Sequence, residues 1–163
     1  MGHPKKQKRK YEKPKRPFDK ERIEREKKLK RDYSLRRKKE ILRTESILRN
    51  FRRRARSLQA EPDEEKEKEL LEKLNKLGLS CSKLEDVLSI RLEDILSRRL
   101  QNMVYKKGLA TNTKEARQFI VHGHVLVKNK KVFWPGYLVP TRLEDMIELK
   151  SKIKRKMQDT EKR

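Results

Sequence analysis

Residues 98–140 read RRLQNMVYKKGLATNTKEARQFIVHGHVLVKNKKVFWPGYLVP, and the fold is decided there. Arg98-Arg99-Leu100-Gln101 belongs to a helix predicted to run from Arg91 or Leu92 to about Lys107, stopped by Gly108 just past its end. Thr113 reads as the N-cap of a second helix over residues 114–122, with Ala116, Phe119 and Ile120 facing inward and Gly123 closing it. The period then changes. Val125 and Val127 alternate with Leu126 and Lys128, which predicts a short strand. Residues 128–131, with Asn129, read as a hairpin turn, and 132–134 as the returning strand. Pro135-Gly136 is a turn, and 137–139 and 146–149 are two more short strands. Helix, tight turn and second helix bring helix N-terminal N–H groups, which attract phosphate, close to arginines, whose guanidinium forks match a pair of phosphate oxygens.

Upstream of this unit, Pro4, Pro14 and Pro17 interrupt a dense Lys/Arg run, so residues 1–18 read as an extended basic arm that orders on an anion. Asp19 caps a helix over about 20–31. A second helix is expected over 36–58, because Leu48, Phe51, Ala55 and Leu58 recur at steps of 3, 4 and 3. Pro62 and the acids at 63–65 suit the first turn of a third helix, which ends near Gly78 and buries Leu70, Leu71, Leu74 and Leu77. Residues 84–90 form a short fourth helix, and residues 151–163 read as a basic extension or tail. No internal repeat is apparent.

Charge limits the function. The 163 residues hold 48 Lys+Arg against 25 Asp+Glu, a net charge of +23. Residues 1–57 carry +17, residues 58–97 carry −5 and residues 98–163 carry +11, so an acidic spacer separates two basic surfaces. Charge of this size repels itself unless a polyanion neutralises it, and nucleic acid is the obvious one. An anionic membrane surface would need a basic helix with a bulky apolar face, which the aromatic-poor helices lack. The 33% hydrophobic share is low, which fits small packed units with charged helices and tails better than one core throughout. No stretch approaches the roughly 18 apolar residues of a membrane span. The basic N-terminus is not followed by the apolar run of a secretory signal. Cys81 is alone, which excludes an internal disulfide and fits a reducing, intracellular setting.

Signals of catalysis are missing: there is no Gly-rich phosphate loop and no Gly-x-Ser-x-Gly elbow. His122 and His124 flank a glycine at i and i+2 with no cysteine and few acids nearby, a poor metal site, so one structural histidine and one facing nucleic acid are expected. Neither metal nor cofactor is implied. Tyr11, Phe18 and Trp134 are candidates to stack on bases, although Trp134 is expected to be buried between strands.

The 98–140 segment resembles the RNA-binding module of the ribosomal protein S-four family. The resemblance extends through Met1-Gly2-His3-Pro4-Lys5-Lys6-Gln7-Lys8-Arg9-Lys10-Tyr11, Pro17-Phe18-Asp19-Lys20-Glu21-Arg22, Ser46-Ile47-Leu48-Arg49-Asn50-Phe51-Arg52-Arg53-Arg54-Ala55-Arg56 and Leu74-Asn75-Lys76-Leu77-Gly78, which are similar to the archaeal and eukaryotic branch. Two stretches differ in character. Asn129-Lys130 stands where relatives commonly turn with Asn-Gly, and Ser151-Lys152-Ile153-Lys154-Arg155 is similar to the related protein of the U3 nucleolar ribonucleoprotein.

The resemblance implies a non-enzymatic, cytoplasmic constituent of the small ribosomal subunit that binds the 5′ domain of small-subunit rRNA early in assembly. It also implies a neighbour of the S-five family and a position close to mRNA where it enters the subunit. The alternatives are a U3-type pre-rRNA processing factor, a DNA-compacting basic protein and a stand-alone RNA-modifying enzyme; for the last, the residues outside the module leave no room for a catalytic domain. The expected architecture is α+β. An arm (1–18) and a helical N-terminal region with an acidic middle (19–97) precede the module (98–150) and the tail (151–163). Three groups of residues are expected to meet RNA. The arm supplies Lys5, Lys6, Lys8, Arg9, Lys10 and Tyr11, and the long helix supplies Arg49, Arg52, Arg53, Arg54 and Arg56. The module supplies Arg98, Arg99, Lys106, Lys107, Lys114, Arg117, Gln118, His122 and His124. The Lys-rich arm equally suits a nuclear-import signal, and one segment can do both.

Contacts of this kind go mainly to phosphate and sugar, so binding should be steeply salt-dependent. With about 8 phosphates neutralised, affinity for structured rRNA should fall roughly 10³- to 10⁵-fold between about 50 and 200 mM salt, measured by filter binding. A flat response would contradict the electrostatic reading.

Overall fold

The computed structural model describes residues 9–150. Residues 9–18 form neither helix nor strand; the Glu12 N–H donates to Ser46 Oγ at 3.3 Å and the Glu12 carboxylate pairs with Arg49, which lays the arm along the long helix. The tail expected at 151–163 and the lysines at positions 5, 6 and 8 lie outside the described residues.

Seven α-helices and three strands form among the described residues: α1 (Lys20–Asp32), α2 (Lys38–Ala60), α3 (Glu64–Lys76), α4 (Leu84–Ser89), α5 (Leu92–Ser97), α6 (Leu100–Lys106), α7 (Thr113–Val121), β1 (Val125–Val127), β2 (Lys130–Lys131) and β3 (Ile147–Leu149). The fold is α+β. Asp19 and Asp63 cap α1 and α3 by accepting from the backbone N–H three residues on, as polar N-cap side chains do.

The spine is α2. Its stripe of Ile41, Thr44, Leu48, Phe51 and Ala55 recurs at 3 and 4 and is buried; α1, α3, α4 and α5 pack against it. One apolar cluster joins Leu48, Phe51 and Ala55 to Leu70, Leu74, Val87 and Ile95. A second joins α6 and α7 to the sheet through Leu100, Val104, Ala116, Ile120, Val125 and Ile147. A small third cluster, Leu29, Leu35, Ile41 and Leu96, lies where α1, α2 and α5 meet. The sheet is antiparallel in the order β2-β1-β3, with Val127 opposite Lys130 and Val125 opposite Leu149. Its inner face is apolar and buried, while Glu148 points to water.

Several expectations are corrected. The helix predicted from residue 91 or 92 to 107 is two helices. Arg99 is extended (φ −71°, ψ 143°), because this stretch pairs with another segment: the Arg98 carbonyl accepts from Val139 N–H at 3.0 Å, and Arg99 bridges Leu138. The first N–H groups of α6 then find partners outside the helix, Leu100 to the Tyr137 carbonyl at 2.7 Å and Gln101 to the Pro135 carbonyl at 3.3 Å. Residues 137–139 consequently serve α6 and form no strand of the sheet. The cap of α7 is Asn112, whose side chain accepts from Glu115 N–H at 2.8 Å; Thr113 is the first helical residue. Lys128 and Asn129 both have positive φ, 50° and 61°, so they make the two-residue hairpin turn, and Lys130 already belongs to β2. The return strand is two residues long and stops before Phe133.

A short repeat also emerges. Lys83-Leu84-Glu85-Asp86-Val87-Leu88-Ser89 and Arg91-Leu92-Glu93-Asp94-Ile95-Leu96-Ser97 each build one helix with the same local bonds. Asp86 and Asp94 accept from the N–H three residues back at 2.9 and 2.8 Å, and Ser89 and Ser97 donate to the Asp86 and Asp94 carbonyls at 2.8 and 2.7 Å. With a period of eight residues and such common residue types, the pattern is easily passed over as two ordinary helix starts.

The α3 terminus shows how closely the parts are fitted. Gly78 has φ +75° and closes the helix, with its N–H bonded to the Asn75 carbonyl at 2.9 Å and Leu79 N–H to the Leu74 carbonyl at 3.1 Å. A Cβ on Gly78 would stand 2.6 Å from Arg98 Cζ. Gly78→Ala is therefore expected to lose at least about 1–2 kcal/mol from the left-handed backbone alone, more as Arg98 is displaced, read as a lowered midpoint in urea unfolding.

Candidate nucleic-acid interface

The basic residues fall into two sets according to what their side chains meet. The first set faces the protein. Arg99 is 5% exposed and donates to Glu40 Oε2. Arg117 reaches the same carboxylate from α7 through both terminal nitrogens, at 3.2 and 3.0 Å. Glu40 also accepts from the backbone N–H groups of Arg36 and Arg37, each at 3.3 Å, so it completes the N-terminus of α2. Gln101, buried at 1% exposure, extends the cluster: its Oε1 accepts from Arg117 at 3.2 Å and its Nε2 donates to the Thr113 carbonyl at 2.9 Å. Burial pushes the Glu40 carboxyl up, but the hydrogen bonds and charges of Arg117 and Arg99 outweigh it and hold the pKa at about 2.

Arg98 donates to the Val139 carbonyl at 3.1 Å and to Glu144. Arg52 turns inward, its Nη2 donating to the Ile90 carbonyl at 2.6 Å. Lys107 sits at the end of α6, 3.5 Å from Asp145. These residues link elements far apart in the chain, and their guanidinium or ammonium groups are at least partly committed to protein acceptors.

The second set faces outward. Arg53, Arg54 and Arg56 lie exposed on α2 beside the buried stripe, together with Arg49, which pairs with Glu12 of the arm. Arg9 and Lys10 are exposed, and the Arg9 guanidinium lies 5.7 Å from the Tyr11 ring centre. Lys106 at the end of α6 and Lys114 and Gln118 on α7 are exposed. His122 is exposed and His124 half-buried, their rings stacked with centres 6.0 Å apart; Phe119 meets the edge of His124. Burial, then Lys150 and His122, lower the His124 pKa, so at neutral pH it offers hydrogen bonding and stacking and no charge. Among the described residues no three His, Cys, Asp or Glu side chains converge on a metal-sized site, and Cys81 is buried.

Two clefts flank the Glu40 cluster. One of about 650 Å³ is lined by Lys27, Lys30 and Arg31 of α1, by Ser34 and Leu35, and by Lys114 of α7. The other, of about 550 Å³, lies between the start of α2, with Arg36, Arg37 and Arg43, and the turn that begins at Trp134. None of these six basic residues, Lys27, Lys30 and Arg31 on α1, Arg36 and Arg37 just before α2 and Arg43 on it, was among the expected contacts. A signal existed for three of them, since Lys27, Lys30 and Arg31 are spaced i, i+3, i+4 on one helix face.

Trp134 corrects a further expectation. It is not buried between strands but 69% exposed, because β2 ends at Lys131 and the chain then turns, with Tyr137 N–H donating to the Trp134 carbonyl at 3.1 Å. Phe133 is also exposed, at 48%, with one side of its ring over Gly123, where an added Cβ would stand 2.5 Å from it.

The S4 domain family matches residues 98–147, the stretch from the start of α6 into β3. Similarity extends well beyond it. The small ribosomal subunit protein uS4 of Hyperthermus butylicus is 45% identical over 153 residues, covering 91% of this chain and 87% of the relative. The uS4 proteins of Saccharolobus islandicus (strain L.S.2.15) and Saccharolobus solfataricus are 48% and 47% identical over 154 residues, covering 91% of this chain and 85% of theirs. The chain belongs to the uS4 family. In this member of the family the S4 domain and the helical region are held together by the Glu40 cluster, which takes residues from both.

Glu40 titrates below an unfolded glutamate, whose ordinary value is 4.5, so its contribution to stability is complete above pH 4.5 and is lost as pH falls towards 2. Glu40→Gln should cost about 2–4 kcal/mol at pH 7, since Arg99 is left buried without a counter-charge. Urea unfolding followed by circular dichroism should show this difference shrinking between pH 4.5 and 2; a pH-independent difference would remove Glu40 from this role.

Proposed function

We propose that this chain is a structural, non-enzymatic constituent of the small ribosomal subunit that binds small-subunit rRNA. The observation that carries the reading is identity of 45–48% to uS4 proteins along 91% of a chain whose net charge is +23. Within that reading the RNA-facing residues are the outward set: Arg53, Arg54 and Arg56 on α2, Lys106 on α6, and Lys114, Gln118 and His122 at α7, with the arm from Lys5 to Tyr11 and Arg49 beside it. Arg98, Arg99 and Arg117 act mainly as positioning residues that fix the two basic surfaces relative to each other.

The mechanism follows from rigidity and charge. Cations on α1, α2 and the S4 domain present phosphate-binding groups on several faces of one body. An RNA junction whose helices lie against these faces is held in one arrangement, with counterion release as a driving force. We place that junction in the 5′ domain of the rRNA, with the S-five family member as protein neighbour and mRNA entering nearby, in the cytoplasm. The exposed surface of α3 balances Glu64, Glu65, Glu69 and Glu72 with Lys66, Lys68, Lys73 and Lys76, so it offers phosphate less net charge than α2 does.

Sucrose-gradient sedimentation tests the assignment directly: the chain should travel with mature small subunits. Recovery only in precursor particles would replace the reading with a processing factor. In binding to a 5′-domain rRNA fragment, Arg53→Gln/Arg54→Gln/Arg56→Gln should lower the salt slope by about 2–3 with helix content unchanged. An unchanged slope would take these arginines out of the interface.

A further inference from the structure

The turn that follows β2 carries a large aromatic side chain that the fold leaves in water. Trp134 is 69% exposed, yet the turn it opens is held by backbone hydrogen bonds. The Tyr137 N–H closes the turn onto the Trp134 carbonyl at 3.1 Å, and the first N–H groups of α6 bind the Pro135 and Tyr137 carbonyls at 3.3 and 2.7 Å. The turn also lies against the buried Arg99, 3.3 Å from where a Cβ on Gly136 would stand. An indole on so rigid a support loses little conformational freedom when a flat partner covers it.

The surroundings select the partner. Trp134 borders the cleft of about 550 Å³ whose facing wall carries Arg36, Arg37 and Arg43, all exposed. Glu40 lines the same cleft, but its carboxylate is already held by Arg99 and Arg117, so the charge available to a ligand is positive. One aromatic face beside three free-standing cations is matched by a group that is flat and polarizable on one side and anionic on the other. A nucleotide with its base unpaired has that shape and charge. The cleft floor also carries Ile47, Tyr137 and Leu138, but an apolar protein helix laid there would leave the arginines facing it unpaired.

We infer that Trp134 is a stacking platform for one unpaired base of a bound RNA strand, with Arg36, Arg37 and Arg43 holding the phosphates beside it. This rests on the rRNA-binding reading above and adds to it a base contact held beside three phosphate-binding cations. Stacking of this kind tolerates any base, because each has a π-face, so the site recognises an unpaired position more than a sequence.

Trp134 is the one tryptophan of the chain, so its fluorescence reports on this site alone. The full chain is titrated with a 5′-domain rRNA fragment and, as a phosphate-only probe, with inorganic polyphosphate. The rRNA should quench the indole emission, while polyphosphate binds in a salt-dependent way and leaves the emission unchanged. Trp134→Ala should weaken rRNA binding roughly five- to hundredfold, measured by anisotropy of labelled RNA, and Trp134→Phe should restore most of it. Equal affinity of Trp134→Ala and the parent chain, or equal quenching by polyphosphate, would overturn the stacking site and leave the rRNA assignment standing. If the parent chain showed no preference for rRNA over polyphosphate, the functional reading would fall and the stacking site with it.

Discussion

A single carboxylate sets the arrangement of this molecule. Glu40 lies at the start of the longest helix and gathers Arg99 from the entrance to α6, Arg117 from α7 and two backbone N–H groups of its own helix end. Two guanidiniums converging in a part-buried place would repel each other without it, and a lone carboxylate there would be driven to protonate. Together they fit. Gln101 extends the bonding to the start of α7 and to the carbonyls of Tyr33 and Ser34 at 3.3 and 3.4 Å, so four helices are tied at one point. The relative orientation of the helical region and the S4 domain follows from this cluster and from the small apolar cluster beside it.

A chain with a net charge of +23 thus spends some of its cations inside. Arg98, Arg99 and Arg117 fasten elements together, and Arg52 ties α2 to the end of α4. Arginine suits this work because its planar fork reaches two acceptors at once and keeps its charge at any physiological pH. The remaining cations point outward on several faces, and the two clefts beside the Glu40 cluster are edged by them. The internal arginines are therefore the frame that decides where the external ones stand. Loss of the frame would shift the external cations without removing any of them.

Local structure was legible in the residues. The 3- and 4-residue spacing from Leu48 to Ala55 predicted the buried face of α2, the acids at 63–65 predicted the start of α3, and Gly78, Gly108 and Gly123 predicted three helix ends. Each of these depends on neighbours within a turn or two. The break between α5 and α6 was not legible, since Ser97 to Leu100 contain neither proline nor glycine. The backbone leaves the helix there because residues 135–139 arrive to take its hydrogen bonds. The exposure of Trp134 is hidden from the sequence for a related reason: a β-rich stretch predicts burial, and only the early end of β2 puts the indole in water.

What the sequence by itself determined is the helical segments apart from the break between α5 and α6, the small hairpin unit, the excess of positive charge and, through its resemblance to a known family, the class of partner. These follow from periodicity, capping and composition, which act over a few residues or over the chain as a whole. Which arginines bond within the protein and which stand in water was decided only by tertiary structure. Arg99 and Arg117 read like any other basic residue until Glu40, 59 and 77 positions away, is brought against them. A guanidinium goes wherever a carboxylate can be shared at least desolvation cost, and that place exists only once the chain has folded.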